Sequence, residues 1–373
     1  MKDTEAKKLA TEMLTLADIE IDGVRPWDIK VHNEALYNRV FKQGTLGAGE
    51  SYMDGWWDAD RLDEFFYRVF ASNIDREFAF NWRLIPYFAQ AILFNRQSKS
   101  KSRKVGEQHY DIGNDLYKAM LDKRMVYTCA YWDKADNLDD AQEAKLDLVC
   151  KKLHLKKGMT ILDIGCGWGS FAKYAAEKYD VKVLGITISK EQVQLATELC
   201  KGLPVEIRLQ DYRDVNQKFD RIVSLGMFEH VGSKNHRAFM EVAHRCLKND
   251  GLFLLHTIGS NVSVHSTNPW TDKYIFPNGV LPSIKQIGAS IENLFIMEDL
   301  HNFGSNYDRT LMEWFKNFDK HWDKLKGKYG ERFYRMWKFY LLSSAGGFRS
   351  RKLQLWQMVL SKNGIPGGYK SVR

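Results

Sequence analysis

Apolar residues recur at three- and four-residue spacing through the first 95 positions. The stretches KKLATEMLTLADIEI, HNEALYNRVFKQG and DRLDEFFYRVFA each place a hydrophobic stripe on one helical face. A small, mainly helical N-terminal domain is predicted over 1–95. It is rich in aromatic residues, with Tyr52, Trp56, Trp57, Phe65, Phe66 and Tyr67, and it ends in an apolar stripe from Trp82 to Phe94. A helical core accounts for most of these side chains, and a membrane-contacting face is the competing explanation. From residue 108 the pattern changes. MTILDI (159–164), VKVLGITI (181–188), VEIRLQD (205–211), DRIVSLGMF (220–228) and GLFLLHTI (251–258) are apolar, β-branched runs, with SFAKYAAEKY, KEQVQLATELC and HRAFMEVAHRCLK between them. Repeated β–α alternation predicts an α/β fold with a mostly parallel, doubly wound sheet over 108–373. Within it, residues 260–283 hold Pro, Asn, Gly and aromatics over a length uncommon for a connection, which predicts a lid. Two helical, aromatic-rich stretches follow, RTLMEWFKNFDKHWDKL and ERFYRMWKFYLLSS, then the strand-like KLQLWQMVLSK.

The length of 373 residues suits two domains. Hydrophobic residues at 44% and charged residues at 27% give the balance of a folded chain rather than a disordered one. No run approaches the length of a transmembrane helix. The start, MKDTEAKKLATEML, mixes acids and lysines where a signal peptide needs an apolar centre, so the cytosol is the expected compartment. Five cysteines at 129, 150, 166, 200 and 246, with no CxxC pair, encode neither a disulfide framework nor a zinc site. The net charge of +8 is uneven: residues 1–95 hold 11 basic and 16 acidic side chains, a balance of −5, so the remainder carries +13. Residues 96–104 (RQSKSKSRK) hold five basic side chains and no acid, and 96–107 is predicted as a basic linker. Residues 313–373 hold 14 basic against four acidic. Nucleic acid or an anionic membrane would suit such a field, and a solvated face is the simpler account of it.

The strongest local chemistry lies in TILDIGCGWG (160–169), a strand running into Gly165, Gly167 and Gly169 and then into a helix. Glycines there let a ligand approach the backbone, and the helix start offers free N–H groups. The third glycine comes too early for the dinucleotide spacing, and Asp163 precedes the loop, so nicotinamide or flavin binding is disfavoured. At the first strand of a β–α series, DIGCGWG resembles the adenosylmethionine loop of class I methyltransferases with their Rossmann-like fold. The acid usual at the end of the second strand is missing, since that strand reads VLGITIS.

Six further segments read in one order: VYTCAYW (126–132), GITISKEQ (185–192), LQDYRD (209–214), GMFEHVG (226–232), LLHTIG (254–259) and HNFGSNYD (301–308). With GESYMDGWWD (49–58) in the first module, they closely resemble the cyclopropane-fatty-acyl-phospholipid synthase family over nearly the whole chain. Relatives that modify mycolic acids lack the N-terminal module, so the phospholipid branch fits better. The resemblance implies methylene transfer from S-adenosyl-L-methionine across a cis double bond of an acyl chain. An isolated alkene is a poor nucleophile and a methyl sulfonium is a strong electrophile. Methylation leaves a carbocation, and loss of a proton from the new methyl closes the three-membered ring, in a pocket that must exclude water.

In the family the base is a bound bicarbonate, and the residues that hold it correspond here to Cys129, Glu229, His256, the backbone of Ile258, and Tyr307. Cofactor contacts implied by the same likeness are Tyr127, Thr128, Asp163, Gly165, Gly167, Gly169, Thr187, Gln192, Asp211 and Tyr212. Thr187 and Gln192 would replace the missing acid, and Gly226 would line the same cavity. A phospholipid bilayer is the implied partner, contacted peripherally on the inner face of the membrane, and family members form dimers. Taken singly, Cys129 reads as a buried thiol, His256 as a satisfied core histidine and Tyr307 as one of 17 tyrosines. Glu229 ending an apolar strand needs a partner. His230 and Trp168 read as packing residues. Some family members carry a cysteine ahead of the GFR near the C-terminus. Here the segment is SSAGGFR (343–349), with Ser344 and no thiol. Two other functions compete: a methyltransferase acting on RNA or a small amine, and a catalytically silent lipid-binding protein. Against the first, no basic–aromatic nucleic-acid module is present, so no nucleic-acid partner is expected. Against the second stand the intact Cys129, Glu229, His256 and Tyr307.

Overall fold

The computed structural model describes residues 3–74 and 113–373. The predicted linker 96–107, the boundary near residue 100 and the stripe from Trp82 to Phe94 lie outside the described residues. The chain forms two compact units that do not follow its order.

The first unit gathers the described parts of Met1–Met120 with Ser266–Asn278 and Leu311–Lys352. Helices α1 (Asp3–Leu16), α2 (Ala35–Gln43), α3 (Thr45–Met53) and α4 (Leu62–Ala71) carry a short antiparallel pair, β1 (Lys30–Val31) and β2 (Trp57–Asp58). The long helix Glu331–Arg349 packs against α3 and α4. Aromatic side chains make this core. Phe339 lies 5.0 Å from Phe66, 5.5 Å from Tyr52 and 4.6 Å from Trp270 between ring centroids, and Tyr52 meets Trp57 at 5.0 Å. Tyr52, Trp57, Phe65 and Phe66 are all buried, so a helical core, and no membrane face, accounts for these four. Gly346 lies so close to α4 that a Cβ there would sit 2.7 Å from the Tyr67 backbone nitrogen, and Arg349 pairs with the buried Asp63 at 2.9 Å. The segment 343–349 therefore serves helix packing. Here the structure departs from one catalytic domain over 108–373. Residues 311–352 belong to the helical unit because the apolar face of Glu331–Arg349 is buried on α3 and α4.

The second unit spans Leu121–His265, Gly279–Thr310 and Leu353–Arg373. Its sheet contains β3 (Thr160–Ile164), β4 (Lys182–Thr187), β5 (Val205–Leu209), β6 (Phe219–Leu225), β7 (Leu247–Ser260), β8 (Ile296–Asn302) and β9 (Leu353–Ser361), in the order β5-β4-β3-β6-β7-β9-β8. The first five are parallel, and β9 is antiparallel to both neighbours. Alternation along each strand feeds two cores: Leu162, Ile164, Phe253 and Leu255 enter one, and Ile161, Leu252 and Leu254 the other. This is the predicted doubly wound sheet. Strand β8 was not predicted, because at the sheet edge its apolar Ile296, Met297 and Leu300 stay exposed and only Asp299 is buried.

The segment 260–283 is split between the units. Ser260 bridges Ser283, and the Ser263 and Ser283 hydroxyls meet at 2.7 Å in the sheet unit. Ser266–Asn278 belongs to the helical unit, where the Trp270 indole donates to Met53 Sδ and Lys273 and Tyr274 donate to Glu50 at 2.7 and 2.8 Å. No helix of the described residues is long and apolar enough to cross a membrane.

Candidate active site

The carboxyl ends of β3 to β7 carry most of the predicted site, as expected for an open α/β sheet. After β3 the chain turns through Gly165, Gly167 and Gly169, all at positive φ, into helix Ser170–Tyr179. The turn is held to β4 by the N–H groups of Gly165 and Cys166, both 3.0 Å from the Ile186 carbonyl. A Cβ on Gly165 would stand 2.6 Å from Met227, so only glycine fits where this loop passes the β6 turn. A Cβ on Gly167 would meet nothing within 4 Å, which leaves room for a ligand against that backbone. Asp163 at the end of β3 is buried with Oδ2 unpartnered, and burial pushes its carboxyl up to about 7 against the pull of Lys145.

At the ends of β4 and β5, Thr187 Oγ1 donates to Gln192 Oε1 at 2.7 Å, and the Gln210 N–H donates to the Thr187 carbonyl at 3.0 Å. These two predicted replacements for the missing acid therefore form one hydrogen-bonded pair. Asp211 is held by Arg213, through its backbone N–H at 2.9 Å and its guanidinium at 2.9 and 2.6 Å, which keeps the carboxyl below its ordinary range. Tyr212 stacks edge-on to Phe239, 5.3 Å between centroids.

Glu229 sits on the short 3-10 turn Phe228–His230 after β6, and His256 lies within β7 opposite Leu225. His256 thus precedes the end of its strand, which runs on to Ser260. Glu229 Oε1 accepts the Ile258 N–H at 2.6 Å, so the Ile258 amide binds this carboxylate and is not free for an anion. Its carbonyl remains, shared with the Thr257 hydroxyl at 3.0 Å. Burial pushes the Glu229 carboxyl up to about 7, and Oε2 is buried with no partner. His256 is held well below its ordinary value by burial and so is neutral. Gln357 on β9 donates to His256 Nδ1 at 3.2 Å, which leaves the ring proton on Nε2, itself buried and unpartnered. One acceptor and one donor are thus left over in a buried site.

The segment 126–132 joins this site to the rest. Cys129 is fully buried and its thiol is pushed far up by burial, so it is no thiolate. The Ala130 N–H donates to Thr310 Oγ1 at 3.2 Å and the Trp132 N–H to Asn306 Oδ1 at 2.7 Å. Those contacts fix the first turns of helix Ser305–Lys320, from which the buried Tyr307 projects. Tyr127 and Thr128 are half-buried, and a Cβ on Gly226 would lie 2.7 Å from the Thr128 methyl. The Gly226 N–H donates to the His256 carbonyl at 2.9 Å.

Three residues absent from the sequence reading support these groups: Gln142 and Lys145, both on helix Leu138–Lys152, and Gln357. Lys145 Nζ donates to Thr128 Oγ1 at 2.7 Å and Gln142 Nε2 to the Thr128 carbonyl at 2.8 Å. Their signal was two polar residues three apart on the stripe that also buries Leu138, Ala141, Leu146 and Val149. Gln357 carried only the weaker sign of a polar residue inside an apolar strand.

A family model described as mycolic acid cyclopropane synthetase matches residues 97–358. The chain belongs to this family. The cyclopropane synthetase likeness extends further among curated relatives. The cyclopropane-fatty-acyl-phospholipid synthase of Escherichia coli (strain K12) is 52% identical over 366 residues, covering 98% of this chain and 96% of the relative. A solved cyclopropane synthase from Mycobacterium tuberculosis has a TM-score of 0.64 at 33% identity, covering 68% of this chain and 96% of that one. A mycolic acid cyclopropane synthase solved in complex with SAH and CTAB gives the same figures. The relative from E. coli thus spans the helical module too, as the resemblance of GESYMDGWWD (49–58) implied. The glycine loop after β3 and Glu229 after β6 lie at the carboxyl edge of the sheet, with His256 within β7 opposite Leu225, the last residue of β6.

Proposed function

We propose that this chain is an S-adenosyl-L-methionine-dependent methyltransferase that forms cyclopropane rings on unsaturated acyl chains of membrane phospholipids. The near full-length likeness to a phospholipid synthase carries the substrate class. Adenosylmethionine would supply the electrophilic methyl and a bound bicarbonate the base. The residues present fit both. Gly165, Gly167 and Gly169, with Tyr127, Thr128, Asp163 and the Thr187–Gln192 pair, would hold the cofactor, and Asp211 and Tyr212 would flank its adenine. For bicarbonate, the fit rests on the two leftover atoms. An anion beside Glu229 is repelled unless its hydroxyl donates to Oε2, and the His256 Nε2 proton can then point at another of its oxygens. The family likeness assigns Tyr307 as a second donor, and the Ile258 carbonyl is an alternative acceptor for the single bicarbonate proton. Burial of Cys129, Glu229 and His256 keeps water from a carbocation that would otherwise give an alcohol.

The enzyme would dock peripherally on the inner face of an anionic bilayer and act as a homodimer. The test is incubation with labelled adenosylmethionine and either monounsaturated phospholipid vesicles or total RNA. Lipid that gains the mass of one CH2 per double bond supports the reading. Label in RNA alone would overturn it, and vesicle binding without any mass gain would identify a silent lipid-binding protein. Activity lost on stripping bicarbonate and restored by adding it supports the bound base, whereas indifference assigns the base to a side chain.

A further inference from the structure

Lys145 is fully buried at the middle of helix Leu138–Lys152, inside a stripe that otherwise holds mostly apolar side chains. An ammonium there costs several kcal/mol of desolvation that a methionine of similar volume would not. Its hydrogen bond goes to Thr128 Oγ1 at 2.7 Å, and one turn earlier Gln142 fixes the carbonyl of the same threonine. On its other side Thr128 rests against Gly226, whose own N–H holds the His256 carbonyl. The buried carboxyl of Asp163, whose Oδ2 is unpartnered at the head of the glycine loop, acts on Lys145 only through its field, as do Asp122 and Cys129. Lys145 and Gln142 therefore hold the 126–130 segment, one of the two walls of the cofactor site, through Thr128.

From this placement we propose that Lys145 is a positioning residue of the adenosylmethionine site, holding the Thr128 hydroxyl in its binding geometry. The inference rests on the methyltransferase reading above. It acts through Thr128 rather than by touching the reacting atoms, so its removal weakens cofactor binding and leaves the chemical step largely intact.

Two variants test it. Lys145→Met removes donor and charge, and Lys145→Gln keeps a donor for Thr128 while removing the charge. SAH affinity by calorimetry, the KM for adenosylmethionine, kcat and the thermal midpoint are compared with the unaltered enzyme. Lys145→Met should raise both the SAH Kd and the cofactor KM about tenfold or more, as expected for losing a hydrogen bond to a charged donor, with kcat within about threefold. Its thermal midpoint should stay level or rise. Lys145→Gln should recover part of the affinity. In a double-mutant cycle with Thr128→Val, the two losses should fall well short of additive. SAH affinity within twofold of the unaltered enzyme, strictly additive losses, or failure of both Lys145 variants to fold would each overturn the inference and make Lys145 a residue of the fold. An unaltered enzyme that bound no SAH would overturn the methyltransferase reading itself, a separate result.

Discussion

At the residue scale the site is governed by which buried polar atoms are satisfied. Glu229 spends one oxygen on the Ile258 amide and keeps the other free, and His256 spends Nδ1 on Gln357 and keeps Nε2. Glu229→Gln retains the Ile258 contact through its amide oxygen but turns the free acceptor into a donor. Turnover on lipid should drop by about two orders of magnitude or more, with SAH affinity unchanged. Unchanged turnover, read as CH2 gain by mass spectrometry, removes Glu229 from the chemistry. A pH dependence follows from the same carboxyl. Its pKa is raised, so below about 7 it is protonated and cannot accept, and above it the acceptor is restored. The value of kcat should therefore rise between about pH 6 and pH 8. Asp163 titrates in the same range, but it faces the cofactor loop, so its ionisation should appear in SAH affinity instead. A kcat flat across that interval would show that Glu229 does not need its charge.

At the element scale, helix Glu331–Arg349 decides how the chain is divided. Its Gly346 lets α4 approach to backbone contact, and Arg349 reaches the buried Asp63. Gly346→Ala pushes a Cβ into the Tyr67 backbone and should cost about 1–3 kcal/mol, the usual range for overpacking. A lower urea midpoint checks this, and an unchanged midpoint would mean the two helices slide apart freely. Strand β9 matters equally, because it inserts antiparallel between β7 and β8 and brings Gln357 opposite both His256 and His301. Without β9 beside β7, His256 would lack the partner that fixes its tautomer.

At the scale of the whole molecule, the uneven charge carries a prediction about membrane contact. The positive excess beyond residue 95 should draw the protein to anionic vesicles, at about 1 kcal/mol per well-placed Lys or Arg. Sedimentation with such vesicles should weaken as salt rises from about 0.05 to 0.5 M, since screening shortens the reach of that field. Binding indifferent to salt would assign docking to apolar contacts instead. The doubly wound sheet, the helical first module and the glycine loop were legible in the chain itself, because strand and helix periods and the steric freedom of glycine are local properties. Cys129, His256 and Tyr307 were not legible in this way: taken singly each reads as an ordinary core residue, and they were named with Glu229 only through the order of motifs shared with the family. What only the tertiary structure decided was pairing over long sequence distances. Residues 311–352 joining the first module, Gln357 orienting His256, the Ile258 amide turning to Glu229 and Lys145 reaching Thr128 all depend on which surfaces become buried together. The free energy that selects those contacts comes from removing them jointly from water, which no stretch of chain determines alone.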